Sequence, residues 1–326
     1  MAERTTAGRN LVAGTSGSFR FAGYCACALA GTLWGTGFYW GRLALNEMNV
    51  EHMVLYRFLF ACVGMAPVMI TQRVRLTASE LRTLLLAALF GIPIQFTLQF
   101  HGLALTTVSH ASLMVGAMPV LLAVSAVLFA GEHLDGLSWL ALCGSTAGAA
   151  MVVLGGNHAT TGRETPTLAG DLLVIVSLIS ALAWILLSKK LMQTHSPPVV
   201  TAYTIYSGTA MLMIWMAGSR LLAFAMHKKV EPMPFAHIST TAWLALAISG
   251  LLCTATTTLL WNWGIHHVPA SRAGVFLNIE PALGSVLGVE LLGEKLGPYA
   301  WLGGALILVG AITLTTRGHE PPVILE

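Results

Sequence analysis

The sequence predicts an all-α integral membrane protein: ten transmembrane helices in two inverted five-helix repeats. Three observations lead there. Only 10% of the 326 residues are charged and 56% are hydrophobic, whereas a soluble domain carries roughly a quarter charged residues. Apolar stretches of about 20 residues, enough to cross a ~30 Å hydrocarbon core as a helix, recur along almost the whole chain. Finally, residues 102–154 laid over 264–316, at a constant offset of 162 without a gap, agree at 14 of 53 positions. The matches include Pro119/Pro281, Trp139/Trp301 and the adjacent pair Gly131-Glu132/Gly293-Glu294, which apolar bias alone explains poorly.

The ten spans are 21–43, 50–71, 82–104, 108–130, 137–156, 168–188, 199–219, 240–263, 271–292 and 298–316. They are continuous and rich in Ala, Leu and Gly rather than alternating in polarity, so helices are predicted and not barrel strands. Span 1 follows Arg20 and holds Ala28-Leu29-Ala30, which resembles a cleavage site. Its apolar character continues to Trp40, longer than a signal core, so residues 1–20 are expected to remain as a flexible cytoplasmic tail. Cys25 and Cys27 are two apart and turn to nearly opposite helix faces, which prevents joint chelation. All five cysteines read as small packing residues.

Ionisable groups inside spans are costly unless paired or hydrated. Arg57 in span 2 and Glu280 in span 9 lie well inside, His101 less clearly. Arg42, Asp171 and Glu290 lie nearer span ends and read as snorkelling side chains. His110, His266 and His267 are expected to face water. In span 3, Pro93 removes a backbone hydrogen bond and invites a kink. Gln95 and Gln99 stand one turn apart on one face, where they can bond a substrate or another helix. Pro119 and Pro281 are the corresponding hinge candidates in spans 4 and 9. Trp34 and Trp184, matched at an offset near 150, are candidates to line a cavity, whereas Trp261 and Trp263 near a helix end read as interfacial belt residues. On a regular span 9, Ser271, Gly274, Asn278, Ala282 and Ser285 share one face and Glu280, Gly284 and Gly288 the opposite one. Asn278 and Ser285 are thus candidate substrate-binding residues. Arg57 and Glu280 are candidates for a coupling or structural ion pair.

Ten Lys and Arg residues fall in the alternate segments on the side of the N-terminus and six in the others. The positive-inside rule then places both termini in the cytoplasm. Five spans per copy is an odd number, so the second copy enters the membrane inverted. The expected organisation is a cytoplasmic tail (1–20), repeat one (21–156), an external linker (157–167), repeat two (168–316) and a cytoplasmic tail (317–326).

Trp34-Gly35, Arg57-Phe58 and above all the doubled spacing from Pro119 to Gly131-Glu132-His133-Leu134 and from Pro281 to Gly293-Glu294-Lys295-Leu296 resemble the drug/metabolite transporter superfamily, in particular its ten-helix EamA-type members. The resemblance covers roughly residues 21–316. It implies a secondary carrier of small metabolites, exporters of amino acids included, in a bacterial inner membrane.

No phosphate-cradling G-x-x-x-x-G-K-[ST] loop is present, which argues against an ATP-driven pump. A membrane-embedded enzyme using His101, His110, His266 and His267, or a channel or scaffold, are the alternatives. There is no H-E-x-x-H or G-x-S-x-G motif, so no catalytic residue, metal site or cofactor is expected. The scattered Lys and Arg form no basic stripe for nucleic acid. The expected partners are the lipid bilayer and a small, largely apolar or zwitterionic substrate, with amino acids, aromatic ones included, leading. The expected state is a monomer that exports its substrate by alternating access.

Overall fold

The computed structural model describes residues 3–118, 120, 121, 124, 125, 135–155, 166–226, 238–268 and 274–317. Pro119 and the Gly131-Glu132-His133-Leu134 stretch lie outside them. The described elements are all helical: α1 (Glu3–Leu45), α2 (Val50–Thr71), α3 (Ala78–Leu105), α4 (Val108–Val115), α5 (Gly136–Gly155), α6 (Leu168–Leu191), α7 (Pro197–Ala225), α8 (Thr240–His267), α9 (Ile279–Leu292) and α10 (Pro298–Arg317). Among the described residues α2, α3, α6, α7 and α8 are long and apolar enough to cross a membrane. The first helix begins at Glu3, ahead of the span read from residue 21.

Helix starts follow the sequence closely. Asn49, Thr107, Thr167 and Ser239 each accept a backbone N–H of the first turn through the side chain, at 3.0, 3.2, 3.1 and 3.1 Å, replacing one of the donors that a helix start leaves orphaned. Thr77 and Glu80 form a reciprocal capping box at α3. Pro197 occupies the first turn of α7, where its missing N–H costs nothing.

Two helices carry a π turn in mid-course: Phe90–Ile94 in α3 and Leu251–Thr256 in α8. Pro93 accounts for the first, since its ring cannot donate to the previous turn and crowds the carbonyl there. The second has no proline. There Thr254, Thr256 and Thr257 donate their hydroxyls to the carbonyls of Ser249, Leu251 and Leu252, five residues back, at 2.9, 2.8 and 2.6 Å, which satisfies groups that the wider turn leaves open. Shifted by 162, the bounds of α3 fall on 240–267 and those of α5 on 298–317, which are the bounds of α8 and α10.

Helices of equal rank in the two halves pack on each other: α2 on α7, α4 on α9 and α5 on α10. The others exchange partners, α3 lying on α6 and α8 on α1. In the α5–α10 seam the backbones touch at glycine: a Cβ on Gly148 would collide with the Gly303 carbonyl and one on Gly303 with the Gly148 carbonyl. Gly310, the counterpart of Gly148, meets Ala141, the counterpart of Gly303, in the same way. Close backbone approach through small residues is how helices associate where water supplies no hydrophobic drive.

Candidate functional site

Between the halves lies a cavity of about 980 Å³, measured out to its open mouth, lined from α1, α2, α3, α4, α6, α7, α8 and the start of α9. Trp34, Gln95, Gln99, Trp184, Arg57 and Glu280, widely separated in sequence, all line it. Trp184 lies across Gly91, whose missing side chain leaves room for the indole. The Trp34 ring stands 5.5 Å from that of Trp261. Trp261 is buried and lines the cavity, which corrects its reading as a belt residue: α1 covers this end of α8 and shields it from the interface.

The π turn of α8 positions Arg57. Its Nε donates to Thr254 Oγ1 at 2.7 Å and Nη2 to the Cys253 carbonyl at 3.4 Å. Its guanidinium lies 5.0 Å from the Phe96 ring centre and 5.1 Å from that of Phe100, a stabilising arrangement for a desolvated cation. The group is only 2% exposed. Glu280 is half-buried and faces the same cavity. Among the described residues no ion pair joins the two, and the Glu280 carboxylate accepts no hydrogen bond. The Oε1 of Gln95 is a buried acceptor with no hydrogen-bond partner among the described residues. Asn262, buried in the cavity wall, donates to Thr201 Oγ1 at 2.8 Å.

Asn278 and Ser285 are buried but do not line the cavity. Residues 274–278 form a 3-10 turn and the α-helix begins only at Ile279, so the uniform phase that puts Asn278 opposite Glu280 breaks between them. Pro281 is the reason: without an N–H it cannot donate to the Leu277 carbonyl, and its ring crowds that group. Ser285 Oγ donates to the Pro281 carbonyl at 2.5 Å. Of the hinge candidates, Pro93 sits in a π turn and Pro281 at the change from 3-10 to α helix.

One end of the bundle is closed by buried polar groups that sequence reading assigned to the interface. Asp171 is 1% and His110 3% exposed. The Asp171 carboxylate accepts from Thr106 Oγ1 at 2.6 Å and meets His110 Nδ1 at 3.2 Å. Buried Arg42 donates to the Leu103 carbonyl at 2.7 Å and to that of Thr106. These three residues lie near helix ends, but the ends of neighbouring helices cover them, so position along a helix does not give depth. Beside them Glu294 accepts from Val108 N and Ser109 N, both at 2.7 Å, and from Ser109 Oγ at 2.6 Å. The Gly-Glu of the repeated motif is thus a cap: Gly293 takes φ 66°, a left-handed conformation that favours glycine, and turns Glu294 onto the N-terminus of α4.

The histidines are dispersed. His101 pairs with Glu51 at 3.1 Å and His110 with Asp171. His267 packs against Phe19 and Gly23 of α1, and His266 against the His267 ring. Among the described residues no group of three His, Cys, Asp or Glu side chains is placed to hold a metal ion.

Comparison with known proteins bears on the arrangement. The profile of the EamA-like transporter family matches residues 21–154 and again 168–316. An uncharacterized transporter of Archaeoglobus fulgidus is 24% identical over 90% of this chain and 97% of its own. The uncharacterized transporter YdfC of Bacillus subtilis is 24% identical over 87% of both. A protein of Streptantibioticus cattleyicolor named a probable terminal-alkyne amino-acid exporter is 25% identical over 90% of this chain and 93% of its own. A solved crystal structure shares the fold with a TM-score of 0.60 at 18% identity, over 92% of this chain and 98% of the other. With the family profile matched twice across nearly the whole helical bundle, the chain belongs to the EamA-like transporter family.

Proposed function

We propose that the protein is a secondary carrier, not an enzyme, that exports small organic metabolites, amino acids and among them aromatic ones, across a bacterial inner membrane by alternating access. The observation that carries this reading is the cavity between the halves, in which a buried cation and a carboxylate stand without pairing. A desolvated charge is costly unless something compensates it, and a substrate that enters and leaves can do so. The name of the Streptantibioticus relative supports amino-acid export.

Alternating access follows from an inverted repeat of ten spans. The exchange of partners between α3–α6 and α8–α1, with equal-rank helices self-paired, supports a two-fold relation between the halves, and such halves can rock about a central site. With both termini cytoplasmic, as the Lys and Arg distribution favours, the polar closure around Asp171 faces outward. The protein acts as a monomer on this reading, since one chain supplies both halves.

The direct test is growth protection. Cells producing the protein are expected to tolerate toxic amino-acid analogues at several-fold higher concentrations than cells without it. Proteoliposomes preloaded with the protective compound are expected to show a counterflow overshoot of labelled substrate. Chemical conversion of the compound, or flux that never saturates, would replace the carrier with an enzyme or a channel.

A further inference from the structure

Several cavity-lining residues at equivalent positions of the two halves are chemically unlike. At an offset of 162, Ile92 corresponds to Thr254, Phe96 to Thr258, Phe100 to Asn262 and Met118 to Glu280, and all eight residues line the cavity. In each pair the first-half residue is apolar and the second-half residue polar. Gln99/Trp261 runs the other way, and Val115/Leu277 is apolar on both sides. The lining therefore does not repeat its chemistry from one half to the other: Arg57 and Gln95 of the first half and Glu280 of the second supply charged and amide groups beside the apolar surfaces of Trp34, Trp184 and Met118, a mixture suited to an amphipathic ligand.

The polar groups define the head of that ligand. Arg57 spends Nε on Thr254 and makes only a long contact from Nη2 to a carbonyl. Over Nη2 the side chain is missing: a methyl group at position 37 would stand 3.8 Å from it, with Cys253 Cβ as its other neighbour at 3.6 Å. The guanidinium therefore has an N–H face open at Gly37, suited to a carboxylate. Glu280 and the orphaned Oε1 of Gln95 both require N–H donors. A lone carboxylate satisfies Arg57 and leaves the other two groups empty, while a lone amine leaves the open N–H face of Arg57 without an acceptor.

We infer that the cavity binds its substrate as an α-amino acid zwitterion, the carboxylate on Arg57 at the Gly37 notch, the ammonium on Glu280 and Gln95 Oε1, and a large apolar side chain against Trp34, Trp184 and Met118. This assignment rests on the transport reading above and adds to it a head group and a pose. Both charged ends are required together, and a bulky apolar side chain is preferred over none.

The test measures binding and counterflow of phenylalanine, phenethylamine, 3-phenylpropionate and glycine with the purified, reconstituted protein. Phenylalanine is expected to bind at least about tenfold more tightly than each of the other three, since phenethylamine and 3-phenylpropionate each lack one charge-assisted set of hydrogen bonds and glycine lacks the apolar side chain. Glu280→Gln is expected to shrink the preference for phenylalanine over 3-phenylpropionate by about tenfold, and Arg57→Met the preference over phenethylamine by a similar factor. Gly37→Val, which fills the notch beside the Arg57 Nη2 while leaving both charged side chains in place, is expected to weaken both carboxylate-bearing aromatic probes together. Equal affinity of the wild type for phenylalanine and phenethylamine, or ratios unmoved in Glu280→Gln and Arg57→Met, overturns the zwitterion assignment. Saturable counterflow of a compound lacking one of the two charges overturns it while leaving the carrier reading intact. Absence of counterflow for all four probes together with absence of growth protection by any amino-acid analogue removes the amino-acid carrier reading itself.

Discussion

Glu294→Ala is expected to cost the protein roughly 3 kcal/mol of stability, because it removes three hydrogen bonds to one carboxylate, each worth on the order of 1 kcal/mol or more net. The carboxylate covers two backbone N–H groups at the start of α4 and the Ser109 hydroxyl, all within 2.7 Å. It also sits at the positive end of a helix dipole. α4 packs against α9, whose first turn carries Glu280 into the cavity, so a frayed α4 start loosens the wall of the site. Glu294→Gln keeps the acceptor oxygen and loses the charge, and is expected to cost about half as much. The measurement is thermal unfolding of the purified variants in one detergent. Equal melting of wild type and Glu294→Ala would mean that the motif glutamate does not hold α4.

Asp171→Ala is expected to be about as damaging, on the order of 2–4 kcal/mol, since each buried hydrogen-bonding group left without its partner costs about 1–3 kcal/mol and two lose theirs at once. The loss leaves the Thr106 hydroxyl and one His110 ring nitrogen without the acceptor they now share, in a region where neither reaches water. Asp171→Asn retains an oxygen for Thr106 and is expected to recover part of the loss. Hydrogen exchange at 103–110 and 167–174 reports the effect locally: faster exchange there is expected in Asp171→Ala, with α5 and α10 unaffected. Unaltered protection at both segments would show that the Asp171 network does not close this end of the bundle.

Much of this architecture is legible in the sequence because a duplicated chain carries its own alignment. The offset of 162 between Pro119 and Pro281 also relates the π turns of α3 and α8. Arg57, Glu280, Gln95, Gln99, Trp34 and Trp184 stand out in sequence as polar or aromatic residues deep in apolar spans, and the cavity brings them together. Thr254, Thr258 and Asn262 do not stand out in the sequence, because threonine and asparagine in a span read equally well as helix-packing residues. The signal that finds them is the run Thr254–Thr258 with a single alanine, opposite Ile92 and Phe96 at the repeat offset. Depth was the hardest quantity to read. Asp171, His110 and Arg42 lie within a turn or two of helix ends, yet they are buried because neighbouring helix ends converge on them. The face that Asn278 presents is hard to read for another reason: one proline three residues on converts its turn from α to 3-10, and helical phase does not carry across that change.

The proposed carrier needs one cavity that opens in turn to either side of the membrane, and thiol accessibility tests this most directly. The five native cysteines, Cys25, Cys27, Cys62, Cys143 and Cys253, are all free and are first replaced by serine or alanine. A single Thr258→Cys is then introduced in the cavity wall and challenged with a membrane-impermeant maleimide from the outer face in intact cells and from the inner face in inverted vesicles. Labelling from both faces, each suppressed by an excess of a transported amino acid, is the expected result. Labelling from one face alone, in a variant that still transports, would contradict alternating access through this cavity.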